Sequence, residues 1–287
     1  MQADKLRRHY KKHSSNYKTW GQKNHASEYM YFAENIGEYL SLDEVSLSKG
    51  ELYTFLTNKE GKGRKGSLLC CTGSTLSKDI IATIKRIPQT SRDQVKEVTI
   101  DMARNMESAV KECFPNAQIV TDRFHVVKLV LDALQHIRIS HRWEAIEAEN
   151  TAIAKAKAEG KKYTTKLFSN GDSPKQLLAR SRYILAKKRV KWTANQQQRA
   201  DILFAEYPIL EKAYNHCLQF RNMYEAADKA EGIKRLEKWQ EVNEKLNLKK
   251  FNIAATSIEY NRENILNFFD NRNTNASAES FNSKIKL

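Results

Sequence analysis

Between Tyr39 and Asp122, short strand-like and helix-like runs follow one another in an order that few folds accommodate. YLSLDEVSL and ELYTFLT each alternate apolar with polar residues, and a turn at Lys49-Gly50 between them predicts a β-hairpin. After the Gly- and Lys-rich turn NKEGKGRKG, the run GSLLCCTG predicts a third strand in an antiparallel meander. STLSKDIIATIKRIP places Ile80, Ile81, Ile84 and Ile87 at helical spacing, with Ser77 or Thr75 as the cap and Pro88 as the stop. VKEVTID then reads as a fourth strand, MESAVKECF as a short helix stopped by Pro115, and AQIVTD as a fifth strand.

Three antiparallel strands followed by parallel strands joined through helices is the order of the ribonuclease-H-like α/β fold. A mixed five-stranded sheet is therefore expected. After Asp122 the period changes: Phe124, Val127, Leu131 and Leu134 recur every three or four residues, and helical text continues to the end of the chain. Breaks are expected near Gly160, at SNGDSP (169–174), at Trp192-Thr193, at Pro208 and near Gly232. The expected organisation is a basic segment over 1–37, the first part of an α/β core over 38–130, a large all-helical insertion over 131–255, and the second part of the core over 256–287. The insertion would thus lie between the fifth strand and the helix that carries Glu279. That helix begins near Ser277 and is still running at Leu287, which reads as a chain cut short.

Lys and Arg number 49 against 34 Asp and Glu, a net charge of +15. Such an excess attracts a polyanion, and without a basic amphipathic helix bearing a strongly apolar face, nucleic acid is a better partner than a membrane. No apolar run is long enough to cross a bilayer, and no apolar stretch follows the basic start MQADKLRRHYKKH as a signal peptide requires. A cytoplasmic, nucleoid-associated protein is expected. Cys70, Cys71, Cys113 and Cys217 form no C-x-x-C pair, which argues against a zinc finger and for four reduced, small apolar residues in a reducing compartment. RYILAKKRVKW (182–192) sets Arg182, Lys187, Lys188, Arg189 and Lys191 beside Tyr183 and Trp192. It reads either as a nucleic-acid surface or as a helix whose aromatics turn inward beneath solvated lysines.

The acids are more specific. Asp43 lies inside the first strand's pattern, where a carboxylate is costly unless paired or metal-bound. Asp101 ends the fourth strand, a neighbour of the first in such a sheet. Two carboxylates about one strand spacing apart, ~5 Å, repel unless a cation lies between them. Their hard oxygens select Mg²⁺ or Mn²⁺. With Glu279 as a third acid on a helix over the sheet, a site for two ions results, suited to in-line phosphodiester displacement. Glu44 is expected to face the other way, into solvent. Asp79, Asp93 and Asp132 read as turn or cap residues. His125, three residues after Asp122, could orient a carboxylate or contact a phosphate, but on its own reads rather as a partly buried histidine satisfying its own hydrogen bonds.

The run IDMARNMESAVKECFPNAQIVTDRFHVVKLVLDAL resembles the DDE transposases of bacterial insertion sequences, in particular the L-three group. LDEVSLSKGELYT and NTNASAESFNSKIK resemble the same group's first-strand and glutamate-helix segments, so the likeness covers roughly 38–135 and 270–287. The resemblance implies a catalytic, metal-binding triad of Asp43, Asp101 and Glu279, supported by Asp122 and His125 as the D-x-x-H pair. It implies two Mg²⁺ or Mn²⁺ ions, hydrolysis at element ends followed by strand transfer, and a homodimer on DNA. The DNA contacts expected with it are Arg123, Lys187, Lys188, Arg189, Lys191, Asn282 and Lys284. No cysteine pairs precede Asp43, so the group's usual N-terminal zinc-binding module has no counterpart here, and either a separate polypeptide or the short basic arm is expected to recognise the element ends. The competing expectations are a nuclease of the same fold and a catalytically inactive DNA-binding remnant.

Overall fold

A computed structural model describes residues 2–47, 50–272 and 275–285. They form two compact units, one of 1–122 with 271–287 and one of 123–270. The first unit holds strands β1 (Tyr29–Tyr31), β2 (Tyr39–Ser46), β3 (Leu52–Asn58), β4 (Leu68–Thr72), β5 (Glu97–Ile100) and β6 (Gln118–Thr121). Its helices are α1 (Gln2–His9), α2 (Ser77–Ile84), α3 (Gln89–Arg92) and α4 (Arg104–Cys113). The second holds α5 (Arg123–Ala158), α6 (Pro174–Arg180), α7 (Ala194–Glu206), α8 (Pro208–Met223), α9 (Lys229–Leu246), α10 (Lys249–Tyr260) and α11 (Arg262–Leu266). Helix α12 (Phe268–Asn271) leads back to the first unit, where α13 (Ala276–Ile285) closes the described chain.

The sheet has six strands in the order β1-β4-β3-β2-β5-β6. β1 to β3 with β4 are antiparallel, whereas β2, β5 and β6 run parallel. This is the mixed sheet expected of a ribonuclease-H-like fold, with one strand more than the five expected. The extra strand, β1, lies in the segment 1–37 that reads as a basic arm. Three residues, YMY, are too few to reveal a period. β1 pairs with β4 along Tyr29–Tyr31, and the Arg86 guanidinium covers the Tyr29 ring 4.0 Å from its centroid.

The two sheet faces are chemically different. Leu40, Leu42, Val98, Ile100 and Ile119 form one core with Ile80 and Ile84 of α2 and Met106, Ala109 and Val110 of α4. On the opposite face Val45, Phe55 and Cys71 form a smaller cluster with Phe281 and Ile285 of α13. Cys70 and Cys71 split between the two faces, as strand alternation requires. All four cysteines are buried and free.

Local departures from the sequence reading have physical causes. Lys49 of the expected hairpin turn lies outside the described residues; Gly50 beside it takes φ +77°. Helix α2 has no side-chain cap from Ser77 or Thr75. Ser77 donates instead to the Asn105 carbonyl, while Ser74 bonds Asp79. The break expected near Gly232 falls just before it, between α8 and α9 at 224–228; Gly232 itself is buried within α9, where a Cβ would come within 2.5 Å of the Phe269 ring. Arg182–Ala186 is a series of turns, followed by a bend at Lys187 and a 3₁₀ turn at Arg189–Lys191. Among the described residues no helix is long and apolar enough to cross a membrane.

Gly63 fixes how α13 meets the sheet. It takes φ +68°, and a Cβ there would stand 3.0 Å from the Phe281 nitrogen and 3.1 Å from the Ser277 carbonyl. Lys284 donates to the Gly63 carbonyl at 2.7 Å. The Gly- and Lys-rich turn is thus a seat for α13. Gly63→Ala is expected to cost about 1–2 kcal/mol in denaturant unfolding, through left-handed strain and the crowded α13 backbone. Gly50→Ala, at positive φ in open space, should cost only about 1 kcal/mol.

Candidate active site

Parallel register brings the aspartates together. Ser41 pairs with Thr99 at the end of the β2–β5 ladder, and the same register continued two residues brings Asp43 level with Asp101. Ile100 pairs with Thr121 across β5 and β6, and the Asp122 N–H donates to the Ile100 carbonyl at 2.7 Å, which sets Asp122 beside Asp101. Paired residues on neighbouring strands share a face and lie ~4.8 Å apart. Asp43, Asp101 and Asp122 therefore form a row on the α13 face, where β5 and β6 end at their carboxyl termini.

Each carboxylate is held locally. Asp43 Oδ1 accepts the Glu44 N–H at 2.9 Å, and Oδ2 accepts the Asn282 amide at 2.6 Å. Asp101 Oδ1 accepts the Ala103 N–H at 2.7 Å, turning the chain into α4. Asp43 and Asp101 are half-buried, and Asp122 is buried. Glu44 does face the other way, as expected, but it is half-buried and accepts from Asn105 at 3.1 Å instead of standing in solvent. Glu279 lies one turn before Asn282 on α13 and is exposed. Among the described residues no three His, Cys, Asp or Glu side chains lie close enough together to hold a metal ion. The fold thus sets Asp43 beside Asp101 and puts Glu279 on the helix that touches Asp43, without closing the three acids into one cluster. The donors in the row are hard oxygens, the kind Mg²⁺ and Mn²⁺ take.

A second polar group lies below the row on the same face. Glu97 and Thr99 precede Asp101 by four and two residues and are both buried. Lys59, just after β3, donates to Glu97 Oε1 at 2.8 Å and to Thr99 Oγ1. Asn271 donates to Glu97 Oε2 at 3.1 Å, and Ser41 donates to Asn275 Oδ1 at 2.7 Å. Burial pushes the Lys59 ammonium below its usual range, while Glu97 and Asp122 push it back up. Sequence reading missed this group. Its one visible signal is an acid, Glu97, at the start of an otherwise apolar strand.

The remaining predicted residues lie in the helical unit. His125 is half-buried in α5, its ring edge-on to Phe124 at 5.5 Å. Arg123 opens α5 over the rings of Phe268 and Tyr224, at 5.6 and 5.9 Å. Lys188 pairs with Glu225, and Arg189 with Glu211 at 2.8 Å, its guanidinium near Trp192, Phe204 and Tyr214. Trp192 turns inward and donates to the Ile184 carbonyl at 2.9 Å, whereas Tyr183, Lys187 and Lys191 are exposed. The basic stretch thus combines both readings left open above.

Compared with known proteins, the chain matches a family described as a DDE transposase of the ISL3 group over residues 40–287. No curated protein and no solved structure matches it. The family match takes in the sheet unit from β2 onward and the whole helical unit. This chain belongs to the ISL3 group of DDE transposases.

Proposed function

We propose that the chain cleaves a phosphodiester at the ends of a mobile element and joins the freed 3′-hydroxyl to target DNA, with Asp43, Asp101 and Glu279 as its metal-binding acids. What supports this reading is the parallel β2–β5 register, which continued past the Ser41–Thr99 pair brings Asp43 level with Asp101, together with the bond to Asp43 from Asn282 on the helix bearing Glu279. DDE transposases use divalent metal ions. When bound, such ions lower the pKa of the attacking water or hydroxyl and stabilise the leaving oxygen. The protein's part is to hold oxygen donors in a fixed row. Asp43 is fixed by Asn282 and its own strand, and Asp101 by the Ala103 amide. Asp122 takes the place beside Asp101 as a supporting carboxylate, and His125 lies on the helix that follows it.

DNA is the partner of a transposase, and the +15 charge suits a backbone contact. Lys187 and Lys191, with the exposed Tyr183 ring beside them, are the contacts proposed in the helical unit, together with Arg123. Lys188 and Arg189 first have to give up acidic partners, so their contribution should be smaller. Lys284 of α13 would first have to leave the Gly63 carbonyl to reach DNA. Joining two element ends needs two active sites, so a homodimer forms on DNA.

The test is a reaction of the purified chain with Mg²⁺, DNA carrying the element's ends, and a circular target. Nicking at the ends followed by joining is expected. Nicking without joining would identify a nuclease, and salt-sensitive binding without either would identify a non-catalytic DNA-binding protein.

A further inference from the structure

Asn282 carries an observation that the acids alone leave unexplained. Its amide approaches Asp43 Oδ2 at 2.6 Å. An ionised carboxylate only accepts hydrogen bonds, so the NH₂ end must be the one facing Asp43; the flipped amide would set two oxygens against each other. The Asn282 Oδ1 oxygen must then point away from that carboxylate oxygen. There it is buried and has no hydrogen-bond partner. A buried carbonyl oxygen left unpaired costs about 1–3 kcal/mol, so it calls for a donor or a cation. Glu279 stands one turn away on the same helix, on the same side as Asn282.

We infer that Asn282 is a positioning residue of the metal site: its N–H fixes the Asp43 carboxylate, and its Oδ1 is a neutral oxygen donor to the hydrated divalent cation that Asp43 binds. This rests on the metal-binding reading given above. A phosphate is excluded as the occupant of Oδ1, because two acceptors repel. A Mg²⁺ ion suits it, since that ion keeps several waters and takes few carboxylates directly. The oxygen then accepts from a metal-bound water or enters the coordination shell itself, and in both cases it weights the cation toward Asp43. Partners of this kind are worth 10–100-fold in metal affinity.

The experiment is Mn²⁺ binding to the full chain without DNA, followed by electron paramagnetic resonance, with thermal unfolding alongside. Asn282→Leu has nearly the same shape and neither amide group; its Mn²⁺ affinity should fall about 10–100-fold. Asn282→Asp keeps an oxygen donor and loses the N–H. It should bind Mn²⁺ within about threefold of the native chain, since a carboxylate donor compensates for the lost hydrogen bond. A residue that merely packs α13 against the sheet would weaken both variants alike, and that result overturns the inference. Unchanged affinity in Asn282→Leu overturns it too. If Asn282→Leu fails to fold, Asn282→Asp decides: retained affinity supports the inference, and a loss above about tenfold overturns it. Asp43→Asn separates the two levels. If it binds Mn²⁺ as the native chain does, the metal-binding reading itself fails. If it loses the ion while Asn282→Leu keeps it, only the role of Asn282 fails.

Discussion

Asp101→Asn is expected to lower Mg²⁺-dependent cleavage of end DNA on the order of 10³-fold while leaving the fold intact. That loss corresponds to about 4 kcal/mol in the barrier. The substitution is nearly isosteric. The amide oxygen of Asn still accepts the Ala103 N–H that turns the chain into α4, so the local structure has its hydrogen bond. What disappears is one negative charge beside Asp43, and with it the pull on a divalent cation. Thermal unfolding should move little. Asp132→Asn provides the control, because Asp132 is exposed on α5, paired with Lys128 at 2.6 Å, and outside the row. Equal activity of the native and Asp101→Asn chains would remove Asp101 from the chemistry.

Lys59→Met is expected to destabilise the chain by about 3–5 kcal/mol in denaturant unfolding, the usual cost of stranding one half of a buried ion pair. Only 9% of the Lys59 side chain and 1% of the Glu97 side chain are accessible, so water cannot screen the charge left behind. Glu97 also receives Asn271, which returns the chain from the helical unit to the sheet. Losing Lys59 should therefore loosen the α13 segment along with the strand. The double variant Lys59→Met, Glu97→Gln keeps an oxygen for the Asn271 amide and removes the stranded charge. It should recover at least half of the lost stability. Equal instability of the single and double variants would show that the lost hydrogen bonds of the Lys59 ammonium, not the stranded charge of Glu97, matter.

The central strands and their acids were legible because period and chemistry agree there. In YLSLDEVS the alternation assigns Leu40 and Leu42 to one face and Asp43 to the other, and the folded register does the same. The strand-helix-strand text from Glu97 to Asp122 likewise carries its own order, since parallel strands need a crossover helix. What stayed hidden depended on partners distant in sequence. Lys59 and Glu97 are 38 residues apart, and neither belongs to a pattern that names the other. The Asn-rich stretch before α13 reads as a loop by composition. Yet Asn271 and Asn275 are the amides that fasten it to Glu97 and Ser41. The break near Gly232 lies a few residues before it, at 224–228, and Gly232 itself serves packing: the missing Cβ makes room for Phe269. The stretch 182–192 had helical spacing, but Arg189 and Trp192 are drawn out of a regular helix by Glu211 and by the aromatic cluster of Phe204 and Tyr214.

The Asp43–Asp101 row and the helix above it carry the whole functional reading. The direct test is the position of Mn²⁺ by anomalous diffraction from crystals of the chain with end DNA. Expected is a peak roughly 2.1 Å from one carboxylate oxygen of Asp43 and one of Asp101, absent from crystals of Asp43→Asn. A well-occupied Mn²⁺ bound by neither aspartate, or one that persists unchanged in Asp43→Asn, would contradict it.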